Sequence, residues 1–253
     1  MNKSSTDLHW NDRAASEPDD ARVNIADTAQ REVELHAILP HLRAGDRVLE
    51  VGCGNGYVTD RLRRLVRHVD AFDYAENMVE RARRLYGESN NRFFHDNVLA
   101  PRQWAGPYDA ILCVRVLINL RDLGEQRQAI RNLAAALRPG GRLILAEGFR
   151  DGFDALDGLR AQAGLPPLQP APINFYSRKA ELMETILPLF TVAGSFHTGL
   201  FDVLTRVALP AAIGAGNAQT SDFHHRIQGL ATALNGPQFA PFGRVQGLAL
   251  IRK

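Results

Sequence analysis

The chain has 253 residues, of which 45% are hydrophobic and 23% charged, as expected for a globular protein with one substantial core. Its formal net charge of +2 is too small to indicate a nucleic-acid partner. No stretch approaches the roughly 18 consecutive apolar residues that a membrane span needs. The two cysteines, Cys53 and Cys113, form neither a disulfide framework nor a metal cluster. We therefore expect a cytoplasmic protein without a metal, nucleic-acid or membrane partner.

Predicted strands and helices alternate along the first 150 residues. A polar segment, 1–27, comes first and is expected to be mobile. Apolar runs bounded by turn residues predict strands, and apolar residues at helical spacing predict helices, the third of which Gly87 is expected to close as a left-handed cap. This alternation is typical of a doubly wound α/β fold with a mostly parallel sheet. The predicted helices cover 28–43, 56–66, 75–87 and 123–137, and the predicted strands cover 47–51, 68–73, 91–97, 108–116 and 142–148.

The regular alternation breaks after residue 150. Residues 150–177 are rich in Gly, Pro and Asn, and a second less regular stretch covers 199–243. A helix and a strand at 177–198 separate the two stretches, and a last strand covers 244–253. Both stretches follow late strands, so we expect them above the carboxyl end of the sheet, where open α/β sheets bind ligands. They are therefore predicted to be substrate lids on a single domain, 1–253.

The loop after the first strand has glycine at three alternating positions. In VLEVGCGNGYVTDRL, Gly52, Gly54 and Gly56 lie between a strand and a helix, so the backbone is expected to pass close to a ligand. A tight turn that uses glycine for its geometry alone is the alternative. The spacing differs from the G-x-G-x-x-G of dinucleotide sites, and no G-K-[ST] follows, so a nicotinamide dehydrogenase and a P-loop are disfavoured. Glu50 would repel a pyrophosphate and suits a ligand with an ammonium or sulfonium charge.

The motif LEVGCGNGYVT resembles the first motif of the class I S-adenosylmethionine-dependent methyltransferases, E/D-x-G-x-G-x-G. The stretches VDAFDYAENMVERAR, FFHDNV, YDAILCVRVLINL and LRPGGRLILAEG are similar to later motifs of this family and follow in the family's order. The resemblance covers 30–150 densely, and 178–198 and 244–253 weakly. It implies a Rossmann-like, seven-stranded sheet with an antiparallel last strand, lid insertions after strands 5 and 6, and S-adenosylmethionine as cofactor.

The resemblance also implies contacts to the cofactor. Asp73 matches the family acid that binds both ribose hydroxyls, which suits a carboxylate because it accepts two hydrogen bonds. Asp96 matches the acid that receives the adenine amino group, and the next residue, Asn97, offers its backbone N–H to the ring. The alternatives are a helix cap for Asp73, a turn residue for Asp96 and a core side chain for Met78. The predicted cofactor-binding residues are Glu50, Gly52, Cys53, Gly54, Gly56, Asp73, Tyr74, Met78, Asp96, Asn97 and Arg115.

Methyl transfer from a sulfonium predicts few catalytic side chains. The reaction needs alignment and exclusion of water, and a base only where the acceptor must lose a proton. His197, near the end of a predicted strand, is a candidate base. Tyr176 is expected to shield or orient the sulfonium through a cation–π contact. Ordinary loop polarity is the alternative for each of the candidate substrate-binding residues, which are Asn119, Asn174, Tyr176 and Arg206.

The predicted activity is methyl transfer to an oxygen or nitrogen of a small polar metabolite, such as a natural-product or sugar intermediate. The stretches RVLINL, NFY and TRVALP resemble a bacterial subgroup of small-molecule and sugar methyltransferases. The position after the fourth strand reads VRVL, not the N/D-P-P-Y/F of nucleic-acid and glutamine N-methylating members. A cyclase or an aminocarboxypropyl-transfer enzyme on the same fold, and a non-catalytic cofactor-binding protein, stay open. The expected assembly is a monomer or homodimer.

Overall fold

The computed structural model describes residues 5–16, 19, 22 and 24–253. In this part of the chain, one sheet of seven strands has the order β3-β2-β1-β4-β5-β7-β6. The first five strands are parallel, and β7 runs antiparallel to both of its neighbours, β5 and β6. The predicted sheet, including its antiparallel last strand, is therefore confirmed. The strands are β1 (Arg47–Val51), β2 (His68–Asp73), β3 (Asn91–His95), β4 (Tyr108–Val114), β5 (Leu137–Gly148), β6 (Phe190–His197) and β7 (Val245–Arg252).

Helices cover both faces of the sheet and continue into the two insertions. None of them, within the residues described, is long and apolar enough to cross a membrane. Short 3-10 helices at Leu39–His41, Leu117–Asn119 and Pro237–Phe242 lie between helices and strands, and a π-helical turn at Leu204–Ala208 joins two α-helices. The helices are α1 (Ser5–Ser16), α2 (Thr28–Ile38), α3 (Tyr57–Leu62), α4 (Glu76–Tyr86), α5 (Leu123–Ala136), α6 (Arg150–Gln162), α7 (Lys179–Leu189), α8 (Gly199–Val203), α9 (Leu209–Ile213), α10 (Ala215–Thr220) and α11 (Phe223–Ala233).

The core lies in two layers, one on each face of the sheet. Successive strand residues point to opposite faces, so Val48 and Leu49 of β1 belong to different layers. Leu49 shares its layer with Leu133 of α5 and Ile186 of α7. Val48 shares the other layer with Leu62 of α3 and with side chains of α2 and α4. Burial on both faces explains why the strands read as continuous apolar runs.

The chain order creates a crevice between β1 and β4. From β1 the chain winds outward through β2 to β3, then returns to the other side of β1 with β4 and continues to β5. The connections that leave β1 and β4 therefore turn in opposite directions at the carboxyl end of the sheet. Such a topological switch point is where open α/β sheets bind ligands.

One prediction of local structure is wrong. Gly87 has φ −67° and ψ 119°, which is extended and not left-handed. The side chain of Asn91 donates a hydrogen bond of 2.8 Å to the carbonyl of Tyr86, so the helix end is satisfied without a left-handed residue. The stretch 199–243, predicted to be less regular, consists of the short helices α8 to α11 with a π-helical turn between α8 and α9. Its apolar positions pack on α2 and not on the sheet, which hides the pattern of a sheet-covering helix.

The polar segment 1–27 contains α1. The helix packs on α4, where the backbone N–H of Asn77 donates to the Asn11 side chain over 3.1 Å and Arg81 donates to the carbonyl of Ala14 over 2.6 Å. Residues 1–4, 17, 18, 20, 21 and 23 of this segment lie outside the described residues. That the segment is mobile stays a prediction.

Leu133→Ala should lower the free energy of unfolding by about 2–5 kcal/mol, because it leaves a cavity under the sheet. The matched control is Leu187→Ala on α7, where the side chain is 51% exposed. We expect a change within about 0.5 kcal/mol for the control. Urea denaturation followed by circular dichroism measures both. Equal losses in the two variants would contradict this division between core and surface.

Candidate functional site

A cavity of about 650 Å³ lies over the crevice between β1 and β4. The ends of β1 and β2 and the loops that follow β1, β3 and β4 form its walls. The helix α1 and the end of the first insertion close it from above, with Trp10 and Ile173 among the lining side chains. Eleven of the residues predicted from the sequence line it: Glu50, Gly52, Cys53, Gly54, Asp73, Tyr74, Met78, Asn97, Arg115, Asn119 and Asn174.

The three glycines of the loop all have left-handed φ values, of 70° at Gly52, 55° at Gly54 and 84° at Gly56. A Cβ atom on Gly52 would lie 2.5 Å from the side chain of Val116, and one on Gly54 would lie 2.0 Å from that of Asn24. Both positions therefore exclude side chains for two reasons, the left-handed backbone conformation and the lack of space for a Cβ atom. Gly56 does not line the cavity, since it begins α3 and faces the hydrophobic core.

Asp73 ties the end of β2 to the glycine loop. Its Oδ2 accepts a hydrogen bond of 2.8 Å from the backbone N–H of Gly54, and its Oδ1 accepts one of 2.9 Å from Ala75. Burial raises the pKa of this carboxyl, although these hydrogen bonds oppose the shift. The backbone N–H of Tyr74 also stabilises the carboxylate. Each carboxylate oxygen has two acceptor sites, so capacity to accept a hydrogen bond from a ligand hydroxyl remains. The loop-binding and ligand-binding roles are compatible.

Glu50 is a buried acid at the end of β1. Burial raises its pKa to about 7, although a hydrogen bond of 2.5 Å from the Thr59 hydroxyl and the charge of Arg31 oppose the shift. The carboxylate therefore holds the first turn of α3 through Thr59, and it also lines the cavity. A cationic group in the cavity would favour its ionised form.

Arg31 of α2 is a lining residue that the sequence analysis missed. Its guanidinium is buried and lies 3.1 Å from Glu34, while Arg115 approaches the same carboxylate at 3.7 Å. Two guanidinium groups thus share one carboxylate, which leaves this wall suited to an anionic group. In the sequence, Arg31 is one of several polar residues of an amphipathic helix, and no motif distinguishes it.

Glu147, at the end of β5, holds the loop after β4 and was also missed. Its Oε1 accepts hydrogen bonds of 2.8 Å from the backbone N–H groups of Val116 and Leu117, and its Oε2 accepts one of 3.3 Å from Ile118. Burial raises the pKa of Glu147 to about 7 against these bonds. The loop begins at Arg115, a non-glycine residue with φ 57°, a conformation that persists only where surrounding contacts hold it.

Asp96 does not line the cavity in this structure. Its carboxylate accepts hydrogen bonds from the backbone N–H groups of Asn97, Arg102 and Gln103, at distances from 2.8 to 3.1 Å. These hydrogen bonds close the loop after β3. Asp96 therefore acts here as a turn residue, which was the alternative to a contact with adenine. Asn97, the next residue, does line the cavity.

Tyr176, His197 and Arg206 also lie outside the cavity lining. Tyr176 packs on Phe153 with ring centroids 4.5 Å apart, and its hydroxyl accepts a hydrogen bond of 2.8 Å from Asn174. His197 ends β6, an edge strand four positions from β1, which places it about 19 Å away at about 4.8 Å per strand. The sequence indicates that His197 follows a strand, but not which position that strand takes in the sheet.

Arg206 faces α2 and not the cavity. It pairs with Asp27 and donates a hydrogen bond of 3.2 Å to the side chain of Gln30. No described residue of 199–243 lines the large cavity, whereas Ala171, Ile173 and Asn174 of the first insertion do. The helix α1 supplies the rest of the cover, and its Trp10 donates a hydrogen bond of 3.3 Å to Asn119.

The glycine loop, the acid at the end of β2 and the cavity over the switch point together define the class I methyltransferase fold. Residues 48–141 match the family model described as "Methyltransferase domain". A curated relative, "Ubiquinone biosynthesis O-methyltransferase" of Xanthomonas axonopodis pv. citri (strain 306), is 38% identical over 107 residues, 41% of this chain. The chain spans 43% of the length of that relative.

Two solved structures resemble the whole fold. The N-methyltransferase NodS of Bradyrhizobium japonicum WM9, in complex with S-adenosyl-l-homocysteine, has a TM-score of 0.57 at 17% identity and covers 99% of each chain. The [4+2]-cyclase SpnF has a TM-score of 0.56 at 19% identity and covers 87% of this chain and 80% of its own. Residues 48–141 therefore match a methyltransferase domain, and this match and the fold both support the resemblance to class I S-adenosylmethionine-dependent methyltransferases that the sequence predicts.

Glu147→Gln should reduce the pH dependence of stability. The folded-state pKa of about 7 lies above the ordinary 4.5, so the folded protein keeps a proton that the unfolded chain has released. Stability therefore falls as pH rises from about 4.5 to about 7 and does not change further through this group. Glutamine cannot ionise, so the fall should shrink by about 1–3 kcal/mol.

Urea denaturation at pH 5 and pH 8 measures this difference. The matched control is Glu184→Gln on α7, where the side chain is 71% exposed, and it should keep the fall of the parent protein. A Glu147→Gln variant with the same fall as the parent would contradict the role of this buried carboxyl.

Proposed function

We propose that the protein transfers a methyl group from S-adenosylmethionine to an oxygen or nitrogen of a small polar metabolite. The observation that carries this proposal is the joint placement, around one cavity, of the glycine loop, Asp73 and Arg31. The volume of about 650 Å³ is typical of cavities that enclose a small-molecule ligand or cofactor. The "O-methyltransferase" in the name of the curated relative favours oxygen as the acceptor atom.

The cavity residues fit the cofactor by their chemistry. Asp73 keeps capacity to accept a hydrogen bond from the ribose, and Met78 offers an apolar surface to the adenosine. At the other end, the carboxylate of Glu50 suits the ammonium group of the methionine moiety, and Arg31 suits its carboxylate. When bound, S-adenosylmethionine supplies a methyl group activated by the sulfonium charge.

The protein's own contribution would be alignment and exclusion of water. Trp10 of α1 packs on Ala75 and Met78 and covers the cavity from above. The side chains of Asn119 and Asn174 offer hydrogen-bonding groups on the acceptor side. This cover would strip water from the acceptor and hold it in line with the transferred methyl group.

His9 is a candidate base that the sequence analysis did not name. It lines the cavity, and burial, together with the nearby charge of Arg13, lowers its pKa. A neutral imidazole at this position would accept a proton from an acceptor hydroxyl or amine. Among the described residues, it is the histidine that borders the cavity, whereas His197 lies on the distant edge strand.

Asp73→Ala should weaken binding of S-adenosylhomocysteine by about 1–3 kcal/mol, because a charged acceptor of hydrogen bonds is lost. Isothermal titration calorimetry measures the affinity, and thermal denaturation checks that the variant is folded. Asp222→Ala, an exposed aspartate at the start of α11, is the matched control and should bind as the parent protein does. Unchanged affinity in a folded Asp73→Ala variant would contradict this assignment.

Mass spectrometry of the sulfur-containing products tests the reaction itself. The protein is incubated with S-adenosylmethionine and a pooled bacterial metabolite extract, and we expect S-adenosylhomocysteine together with a metabolite heavier by one methylene unit. In the same assay, His9→Ala should lower turnover, and His197→Ala should not. Methylthioadenosine as the product would instead indicate transfer of the aminocarboxypropyl group.

A cyclase is the second candidate function. The likeness to the [4+2]-cyclase SpnF favours it, since that enzyme has the same fold. A cyclase would rearrange an extract component without releasing either S-adenosylhomocysteine or methylthioadenosine. The product assay therefore separates all three reactions.

A further inference from the structure

A second, smaller pocket of about 180 Å³ lies between α6, the π-helical turn and α11. Its lining includes the basic side chains of Arg160, Arg206 and His224 together with Thr205. It shares no lining residue with the large cavity. Residues 24–27 lie between the large cavity and this pocket. Asn24 lines the large cavity, and Asp27 forms hydrogen bonds with Arg206 and His224 of the small pocket.

The cations around this pocket outnumber the anions. Arg206 is paired with Asp27, and Arg244, which donates to the same Gln30 side chain, is paired with Asp202 at 2.9 Å. Arg160 is only 6% exposed, yet it donates to two carbonyl oxygens, those of Pro166 and Arg206. No carboxylate of the described ranges, 5–16, 19, 22 and 24–253, forms an ion pair with it.

A buried guanidinium without a counter-ion is unfavourable, because arginine stays protonated and its charge loses hydration. Arg206 also has a donor that is not satisfied, since its Nε is buried and has no hydrogen-bond partner. Burial, and next the charge of Arg244, lower the pKa of Arg206, although Asp27 opposes the shift. One additional negative charge in the pocket would compensate the unpaired charge of Arg160.

We propose that this pocket binds a small oxyanion, of the size of phosphate or acetate, between Arg160 and Arg206. Both side chains line the pocket, and a planar guanidinium presents paired N–H donors that match the oxygens of such an anion. The volume admits a small group and excludes a nucleotide. The site is separate from the large cavity, and its proposed role does not depend on the proposed methyl transfer.

Thermal denaturation with added anion tests the proposal. Sodium phosphate and, in a separate arm, sodium acetate are compared with sodium chloride at equal ionic strength. A ligand at ten times its Kd should raise Tm by roughly 3–6 °C in a protein of this size. A shift with phosphate alone identifies a phosphate group, and a shift with both identifies any small oxyanion. No shift beyond that of chloride overturns the proposal.

Arg160→Met locates the site. It should lose the anion-dependent shift, whereas Arg226→Met, an exposed arginine of α11 that pairs with Asp222, should keep it. Equal shifts in the parent and in Arg160→Met would place the anion elsewhere, for example at Arg31 in the large cavity, and would overturn the proposal.

Ala218→Glu keeps the test decisive if Arg160→Met does not fold. Ala218 is buried and lines the pocket, so glutamate there brings a carboxylate toward Arg160 and Arg206. This variant should have a higher Tm in chloride than the parent and should lose the response to the anion. A full anion response in folded Ala218→Glu would contradict the proposal.

Discussion

The hydrogen bond between the Asp73 carboxylate and the backbone N–H of Gly54 is the contact on which the cavity depends. It joins the end of β2 to a loop whose three glycines adopt left-handed conformations. The backbone N–H of Cys53, which donates a hydrogen bond of 2.9 Å to the carbonyl of Phe72, holds the same loop against β2. The same carboxylate holds the start of α4 through Ala75. One buried acid therefore positions both the glycine loop and the apolar wall of Ala75 and Met78, and it lines the large cavity between them.

A second buried acid, Glu147, holds a loop on the opposite wall of the cavity. Glu147 holds three successive backbone N–H groups after β4, and this fixes the loop that carries Arg115 and Asn119. Arg115 then reaches Glu34 of α2, which also pairs with Arg31. The polar side of α2 continues through Gln30 to Arg206 and Arg244. A continuous series of polar and charged contacts therefore runs along α2, from the large cavity to the small pocket.

The parts of the site that follow from local pattern were predictable from the sequence. Gly52, Gly54 and Asp73 lie where a strand ends and a helix begins, so their positions depend on a few neighbouring residues. His197 also follows a strand, but its distance from the site depends on the order of strands, which sequence periodicity does not contain. Arg31 and Glu147 act through partners far along the chain, and Asp96 turns toward its own loop. Such roles depend on tertiary contacts.

A crystal structure of the protein with S-adenosylhomocysteine would show whether the large cavity binds the cofactor. We expect the ligand to lie in the large cavity, with its ribose hydroxyls hydrogen-bonded to Asp73 and its amino-acid end beside Glu50 and Arg31. Electron density for the ligand at another place, or a ribose without contact to Asp73 in a fully occupied cavity, would contradict this expectation.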